Sequence, residues 1–249
     1  MTGVRLAFSW LTVLPVRGPE QVDRGAAGPA IALAPVVGVV LGAGAAGLLW
    51  VLGVAGANSV LAGFVVVAGL ALVTRGMHLD GLADTFDGLG SYGPPERARQ
   101  IMKSGGAGPF GVAAMVFAIA VQAVSFAALA EGERWVAVVV AVAVGRVVVV
   151  LACRRGVAAA PDTGFGALVA STQALWTGVA WTGLAVLAAA VAVPGRPWLG
   201  PVAVLCAVGL SVLLVRHTVR RFEGLSGDVL GAATEIAVAV TAAGLSLSV

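Results

Sequence analysis

The chain has 249 residues, of which 59% are hydrophobic, 35 are glycine and only 11% are charged, and its mean hydropathy is +1.02. An ordinary soluble domain is excluded, because charged residues usually make up about a quarter of such a domain. The net charge of +3 is spread over several loops without an arginine-rich tract, so nucleic-acid binding is not expected either. The composition predicts an all-α, polytopic membrane protein whose solvent is the lipid bilayer.

Seven nearly uncharged runs follow one another along the chain, each close to the length that a membrane helix needs. We predict spans at residues 30–52, 59–73, 110–130, 135–152, 174–193, 199–215 and 229–247. The earlier apolar stretch 6–14 is too short to span and ends at Pro15, and we expect no cleaved signal peptide. Residues 1–249 are therefore expected to form a single transmembrane domain, a bundle of about seven helices.

Basic residues divide unevenly between the predicted loops. With a cytoplasmic N-terminus, twelve arginines and lysines fall on the cytoplasmic side, whereas only Arg134 and Arg196 fall outside. This distribution follows the positive-inside rule and predicts an N-in, C-out topology for seven spans. The loop segments 75–109 and 216–228 are then both cytoplasmic.

Small residues recur at every fourth position of the first predicted span, at Gly38, Gly42 and Ala46. Such spacing lets helix backbones approach closely in lipid, so close pairing of two copies in a homo-oligomer is compatible with the sequence. Trp10 and Trp50 fall near predicted boundaries, where an indole side chain typically anchors a helix at the membrane interface.

Three aspartates, Asp80, Asp84 and Asp87, crowd into the acidic, glycine-rich segment 75–109. Helical residues are about 100° apart, so a helix here places all three carboxylates on one face, where they repel one another. Carboxylate oxygens at this spacing suit Mg²⁺, which takes one or two protein carboxylates together with waters and substrate phosphates. The segment therefore predicts magnesium-dependent chemistry on a phosphate or diphosphate.

Other candidates on the same side are a histidine and a group of basic and glycine residues. His78 faces away from the carboxylates in a regular helix, so it is either a substrate contact or a hydrogen-bonded structural histidine. Segment 97–111 predicts a short basic helix followed by a glycine loop, which either binds phosphate through its amides or is a plain cytoplasmic loop. The candidate substrate-binding residues are Arg97, Arg99, Lys103, Gly108, Gly111 and Arg155.

The loop 216–228 ends in a Ser-Gly-Asp turn before the last span. Asp228 is either the N-cap of that span or a further metal ligand. Glu235 lies two turns inside the same span and Arg146 lies inside another, and buried charges in a membrane helix are costly unless they meet a partner. A proton- or cation-coupled transporter that uses Asp84, Glu235 and Arg146 is therefore an alternative function.

As a set, these motifs resemble the cobalamin synthase family, the adenosylcobinamide-GDP ribazoletransferases. The matching segments are residues 78–88, 101–103, 108–111 and 226–232, with Glu235 downstream. The resemblance implies a bacterial cytoplasmic-membrane enzyme, its active site facing the cytoplasm, in a late step of vitamin B12 synthesis. It would join adenosylcobinamide-GDP to α-ribazole or its 5′-phosphate and release GMP.

The resemblance also implies roles for individual residues. Mg²⁺ would be held by Asp80, Asp84, Asp87 and Asp228, and the catalytic residues would be Asp84 and His78, either of which could take the proton of the incoming hydroxyl. The chain departs from the family at Ser104, where the family usually has an aspartate. We nevertheless expect an active enzyme.

Another magnesium-dependent membrane transferase is the nearest alternative. CDP-alcohol phosphotransferases and prenyltransferases also place aspartates at helical spacing around a diphosphate. The phosphotransferase signature requires Ala-Arg after the Asp-Gly pair, whereas Ala83 is followed here by Asp84. That pattern therefore fits this chain less well.

Overall fold

A computed structural model describes residues 2–18, 21–161 and 164–247, and these contain twelve α-helices and no named β-strand. The helices are α1 (Thr2–Leu11), α2 (Arg24–Ala32), α3 (Ala34–Val54), α4 (Ser59–Val73), α5 (Met77–Gly90), α6 (Pro95–Met102), α7 (Pro109–Glu131), α8 (Trp135–Ala152), α9 (Gly164–Val169), α10 (Leu175–Ala190), α11 (Leu199–Arg221) and α12 (Gly227–Ser246). The all-α prediction is confirmed.

Five of these helices, α3, α7, α8, α11 and α12, are long and apolar enough to cross a membrane. α4 and α10 are also apolar but shorter, with 15 and 16 residues. These seven helices correspond to the seven predicted runs. Large side chains such as Leu72 and Phe117 are exposed on the outside of the bundle, where lipid rather than water is their natural surrounding. The chain is a multi-pass membrane protein.

The start of the first predicted span is wrong, because residues 24–32 form a separate helix, α2. The chain turns at Leu33, and Pro35 then lies in the first turn of α3, where its missing N–H costs no hydrogen bond. The small residues of α3 pack within the chain. A Cβ at Gly38 would lie 2.9 Å from the Cα of Ala143 on α8, so this close approach is already used by an intramolecular neighbour.

A sharp corner separates α5 from α4, and the two helices differ in direction by 92°. Arg75 and Gly76 at the corner both have positive φ angles, of 57° and 67°. The Arg75 guanidinium donates 2.8 Å hydrogen bonds to the carbonyl oxygens of Ser9 and Thr12 at the end of α1, which holds the corner in place. α5 therefore does not continue α4, and we count it outside the spanning helices.

Helices α8 and α12 form the centre of the bundle. α8 packs against α3, α10, α11 and α12, while α12 also packs against α5 and α7. α5 follows α4 in the sequence and contacts both α7 and α12. It therefore closes the end of the bundle at which α7 and α12 begin. The predicted site segments are thereby gathered at one end of the bundle.

Candidate active site

α5 crosses α12 with direct backbone contact. A Cβ at Gly81 would lie 2.7 Å from the carbonyl oxygen of Asp228 and 2.8 Å from its Cα. One turn along α12, a Cβ at Gly231 would lie 3.1 Å from the Cα and the carbonyl oxygen of His78. Only glycine permits such an approach, because any side chain would push the helices apart. The crossing places Asp80 of α5 beside Asp228 of α12.

Asp80 and Asp228 both line a cavity of about 390 Å³. Asp84 follows one turn later on α5 and is half-buried. Burial raises the pKa of Asp84 to about 7, and the negative charges of Asp80 and Asp228 add to this shift. The three carboxylates therefore form one electrostatic group, in which each charge disfavours the others.

These carboxylates fit a magnesium site of the open kind. Within residues 2–18, 21–161 and 164–247, no three His, Cys, Asp or Glu side chains are grouped closely enough to hold a metal ion by themselves. Mg²⁺ does not need such a cage, because it normally binds through one or two carboxylates and completes its coordination with water and substrate phosphates. Asp80 and Asp228 are the two carboxylates that could hold such an ion, and Asp84 lies close to them.

Asp87 has a different environment from the other predicted metal ligands. Its Oδ2 accepts a 2.6 Å hydrogen bond from the amide of Gly108, and its Oδ1 accepts one of 2.9 Å from the amide of Gly111. The buried carboxylate thus satisfies the unpaired amides at the positive N-terminus of α7. The structure differs here from the prediction, because Gly108 and Gly111 bind Asp87 where a substrate phosphate was expected.

Two of the predicted substrate-binding cations lie beside Asp228 or its loop. Lys103 lines a small recess together with Asp228. Arg99 forms an ion pair with Glu223 and donates a 3.1 Å hydrogen bond to the carbonyl oxygen of Phe222. Arg99 therefore holds α6 against the end of α11, whereas Lys103 lies where a substrate anion next to Asp228 would meet it.

The remaining predicted residues of this end are exposed. Arg97 lies on α6, and Arg155 follows the end of α8. Ser104 donates a 2.7 Å hydrogen bond to the carbonyl oxygen of Ile101. The Ser104 hydroxyl is thus used to end α6.

The loop before α12 is held in two ways. Ser226 is the N-cap of α12, because its Oγ accepts a 3.3 Å hydrogen bond from the amide of Val229. Asp228 is therefore not the N-cap but lies in the first turn, where its Oδ2 accepts a 3.3 Å hydrogen bond from Ser226. Leu225 exchanges backbone hydrogen bonds with segment 158–160, at 2.9 and 3.0 Å.

A buried polar cluster lies deeper, between α5, α7, α8 and α12. Arg146 is 3.5 Å from the Nδ1 of His78, and Gln122 donates a 2.6 Å hydrogen bond to Glu235. The four side chains line a cavity of about 20 Å³, enough for one water molecule. Gln122 was missed by sequence reasoning, because its only signal is a single amide inside an apolar run.

Trp10 packs against an aromatic residue of another helix. Its ring meets that of Phe165 edge to face, with centroids 5.1 Å apart and an interplanar angle of 70°. Both rings line the cavity that contains Asp80 and Asp228. Neither aromatic residue was predicted to belong to the site, since the two are far apart in the sequence and belong to different short helices.

Comparison with known proteins identifies the family to which the chain is similar. A family model described as cobalamin-5-phosphate synthase matches residues 3–246. A protein of Corynebacterium efficiens named adenosylcobinamide-GDP ribazoletransferase is 42% identical over 96% of this chain and 89% of its own length. Proteins with the same name from Frankia casuarinae and Corynebacterium diphtheriae are 40% and 34% identical, covering 97% and 98% of this chain and 93% of their own lengths. No solved structure matches the chain.

Proposed function

This chain belongs to the cobalamin-5-phosphate synthase family, and on that basis we propose that it is an adenosylcobinamide-GDP ribazoletransferase. A ribose hydroxyl of α-ribazole, or of its 5′-phosphate, attacks the cobinamide-bearing phosphorus of adenosylcobinamide-GDP. The P–O bond to the second phosphate breaks, and GMP leaves. The products are adenosylcobalamin, or its 5′-phosphate, and GMP.

The observation that carries this proposal is the presence of Asp80 and Asp228 on one cavity, fixed by the Gly81 contact. Asp80 and Asp228 would hold Mg²⁺, and Asp84 beside them would be left to take the proton. Bound there, the ion would neutralise charge on the diphosphate and on the departing GMP. We do not assign Asp87 to this set, because both its oxygens accept amide hydrogen bonds.

The chain's own side chains position the reactants and accept the proton. Lys103, beside Asp228, provides a positive charge for the diphosphate. Asp84 is the better placed of the two predicted bases, because it is partly exposed beside the other carboxylates. His78 is buried, and its Nδ1 lies 3.5 Å from Arg146. It therefore packs α5 against the buried polar cluster.

The same proposal places the site at the cytoplasmic face of the bacterial inner membrane. α6 and the ends of α8 and α11 carry most of the basic residues, and they lie at the same end of the bundle as α5. The positive-inside rule assigns this end to the cytoplasm. Water-soluble nucleotide substrates would then enter from the side on which they are made.

The direct test is GMP release from adenosylcobinamide-GDP and α-ribazole by the full chain in detergent, with and without Mg²⁺. We expect metal-dependent GMP and cobalamin from the unaltered protein. Asp80→Asn and Asp228→Asn should lower turnover by about a hundredfold or more, since each removes a charge that acts on the developing transition state. Glu133→Gln, an exposed change at the turn between α7 and α8, should leave turnover unchanged.

The outcomes separate the proposed reaction from the alternatives. Consumption of the nucleotide without α-ribazole would indicate a hydrolase. Absence of turnover from a folded, monodisperse sample would contradict the proposal. A transporter that uses Arg146 and Glu235 would release no GMP, and these two charges already lie together in one buried cluster with Gln122 and His78.

A further inference from the structure

The cavity that contains Asp80 and Asp228 has a second wall of different chemistry. Trp10 and Phe165 lie there edge to face, and the aliphatic side chains of Ile31 and Val149 belong to the same lining. These residues come from α1, α2, α8 and α9, whereas the two carboxylates come from α5 and α12. The cavity therefore joins an aromatic and aliphatic wall to an acidic one.

The aromatic wall reaches the start of α12. A Cβ at Gly227 would lie 3.7 Å from the Cβ of Phe165, so Phe165 adjoins the residue that precedes Asp228. A flat ligand against Phe165 would thus extend directly to the carboxylates. The half-buried Trp10 lies beside it, leaving ring surface available to the cavity.

Three polar side chains of this lining, away from the two aspartates, already have partners within the protein. Arg75 donates to two backbone carbonyls of α1, and Thr234 donates a 2.9 Å hydrogen bond to the carbonyl oxygen of Leu230. The Nδ1 of His78 lies 3.5 Å from the Arg146 guanidinium. Against the aromatic and aliphatic wall, a base with several N–H and C=O groups would lose hydrogen bonds to water without replacing them, which is costly.

We propose that this cavity is the acceptor subsite and takes a nucleoside with an apolar base, with the base against Trp10 and Phe165 and the ribose toward Asp80 and Asp228. The inference rests on the proposed function, in which that nucleoside is α-ribazole or its 5′-phosphate. The dimethylbenzimidazole base has no N–H or carbonyl group and suits the wall, whereas guanine does not.

The size of the cavity agrees with this assignment. Its volume of about 390 Å³ is at the lower end of the range of about 300–1,000 Å³ for small-molecule pockets. A nucleoside fits such a volume, but a corrinoid with its nucleotide and side arms is several times larger. Adenosylcobinamide-GDP must therefore meet the carboxylates from outside the cavity.

The test uses Trp10→Leu and Phe165→Leu in the full-length protein. Trp176→Leu and Phe117→Leu are the matched controls, because these residues are 73% and 70% exposed on the bundle surface and lie outside the cavity. We expect the KM for α-ribazole to rise about tenfold or more in the cavity variants, as loss of an aromatic stacking partner does for other bases. The KM for adenosylcobinamide-GDP and all values of the controls should stay within about twofold.

Failure of this inference and failure of the proposed function look different. A rise in the KM for adenosylcobinamide-GDP alone would indicate that the guanosine occupies the cavity. That result would overturn the inference but not the proposed reaction. Unchanged KM values for both substrates would overturn the inference, because neither substrate would then contact Trp10 or Phe165. If the unaltered protein shows no turnover, the proposed function fails. Calorimetric binding of α-ribazole to the unaltered protein and to Phe165→Leu still tests the cavity. Loss of binding in the variant supports the subsite, and equal or absent binding overturns it.

Discussion

The backbone of Gly81 lies directly against the backbone of Asp228, with space for no more than a hydrogen atom between them. The contact joins α5 to the first turn of α12. It limits how far the carboxylate of Asp80 can lie from that of Asp228, because Asp80 directly precedes Gly81 in α5 and Asp228 lies in the first turn of α12. Two aspartates separated by most of the chain are thereby held at one cavity.

Gly81→Ala should therefore damage both stability and turnover. The added Cβ would lie 2.7 Å from the Asp228 carbonyl oxygen, and neither backbone can move freely, so we expect a loss of about 1–3 kcal/mol. Thermal unfolding in detergent and GMP release provide the measurement. Gly44→Ala on α3 is the matched control, because a Cβ there meets nothing within 4 Å. Equal melting temperatures for the two variants would contradict the contact.

Asp87→Asn tests whether the carboxylate of Asp87 caps α7 or binds the metal. The amide retains one acceptor oxygen for two backbone donors, so we expect a loss of about 1–2 kcal/mol and a lower melting temperature. Added Mg²⁺ should still raise the melting temperature of this variant, because binding stabilises the folded state.

Asp228→Asn should show the opposite pattern to Asp87→Asn. Its melting temperature without metal should be close to that of the unaltered protein, and the increase on adding Mg²⁺ should disappear. If the magnesium-dependent increase is lost in Asp87→Asn and retained in Asp228→Asn, the assignment of the two carboxylates made here is reversed.

Arg146→Met should be destabilising, by about 3 kcal/mol, because it removes the buried cation beside the half-buried Glu235 carboxylate. The double variant Arg146→Met/Glu235→Leu should recover much of that loss, since no charge remains buried. Chemical or thermal unfolding of both single variants and the double variant gives the coupling energy. Additive losses would show that Arg146 and Glu235 do not interact.

The topology can be tested by labelling single cysteines in intact cells. Cys206 is exposed and should first be replaced by serine, whereas Cys153 is buried. A membrane-impermeant maleimide should label Arg196→Cys in intact cells and Tyr92→Cys, at a position 93% exposed beside α5, only after permeabilisation. The reverse pattern would place the carboxylates on the outer face.

Much of this architecture could be predicted from local sequence. The apolar runs identify the spanning helices because lipid requires long uncharged segments, and the spacing of Asp80, Asp84 and Asp87 predicts helix α5. The division between α2 and α3 was missed, since Pro35 and Leu33 lie inside a run that is apolar throughout. Composition alone does not distinguish a turn between two apolar helices from a continuous one.

The site depends more on tertiary contacts than on spacing. Nothing local shows that Asp87 turns to α7 while Asp80 faces Asp228, because that division is made by the helix against which each residue packs. The same holds for Trp10 and Phe165, which meet only when α1 and α9 are brought together. The helical period predicts that the three aspartates share a face of α5, but it does not predict the partner of each carboxylate.

The 92° corner between α4 and α5 makes the carboxylates sensitive to the thickness of the membrane. α4 has 15 residues and is ~22 Å long, shorter than the ~30 Å of a typical hydrocarbon core. Lipids with longer acyl chains should draw the ends of α4 toward the hydrocarbon core or thin the bilayer around it, and the corner should transmit that displacement to α5. We expect turnover in proteoliposomes to decline as acyl chains lengthen, and a flat profile would show that the corner absorbs the strain. The position of the helix that carries Asp80 and Asp84 should thus depend on the thickness of the surrounding bilayer.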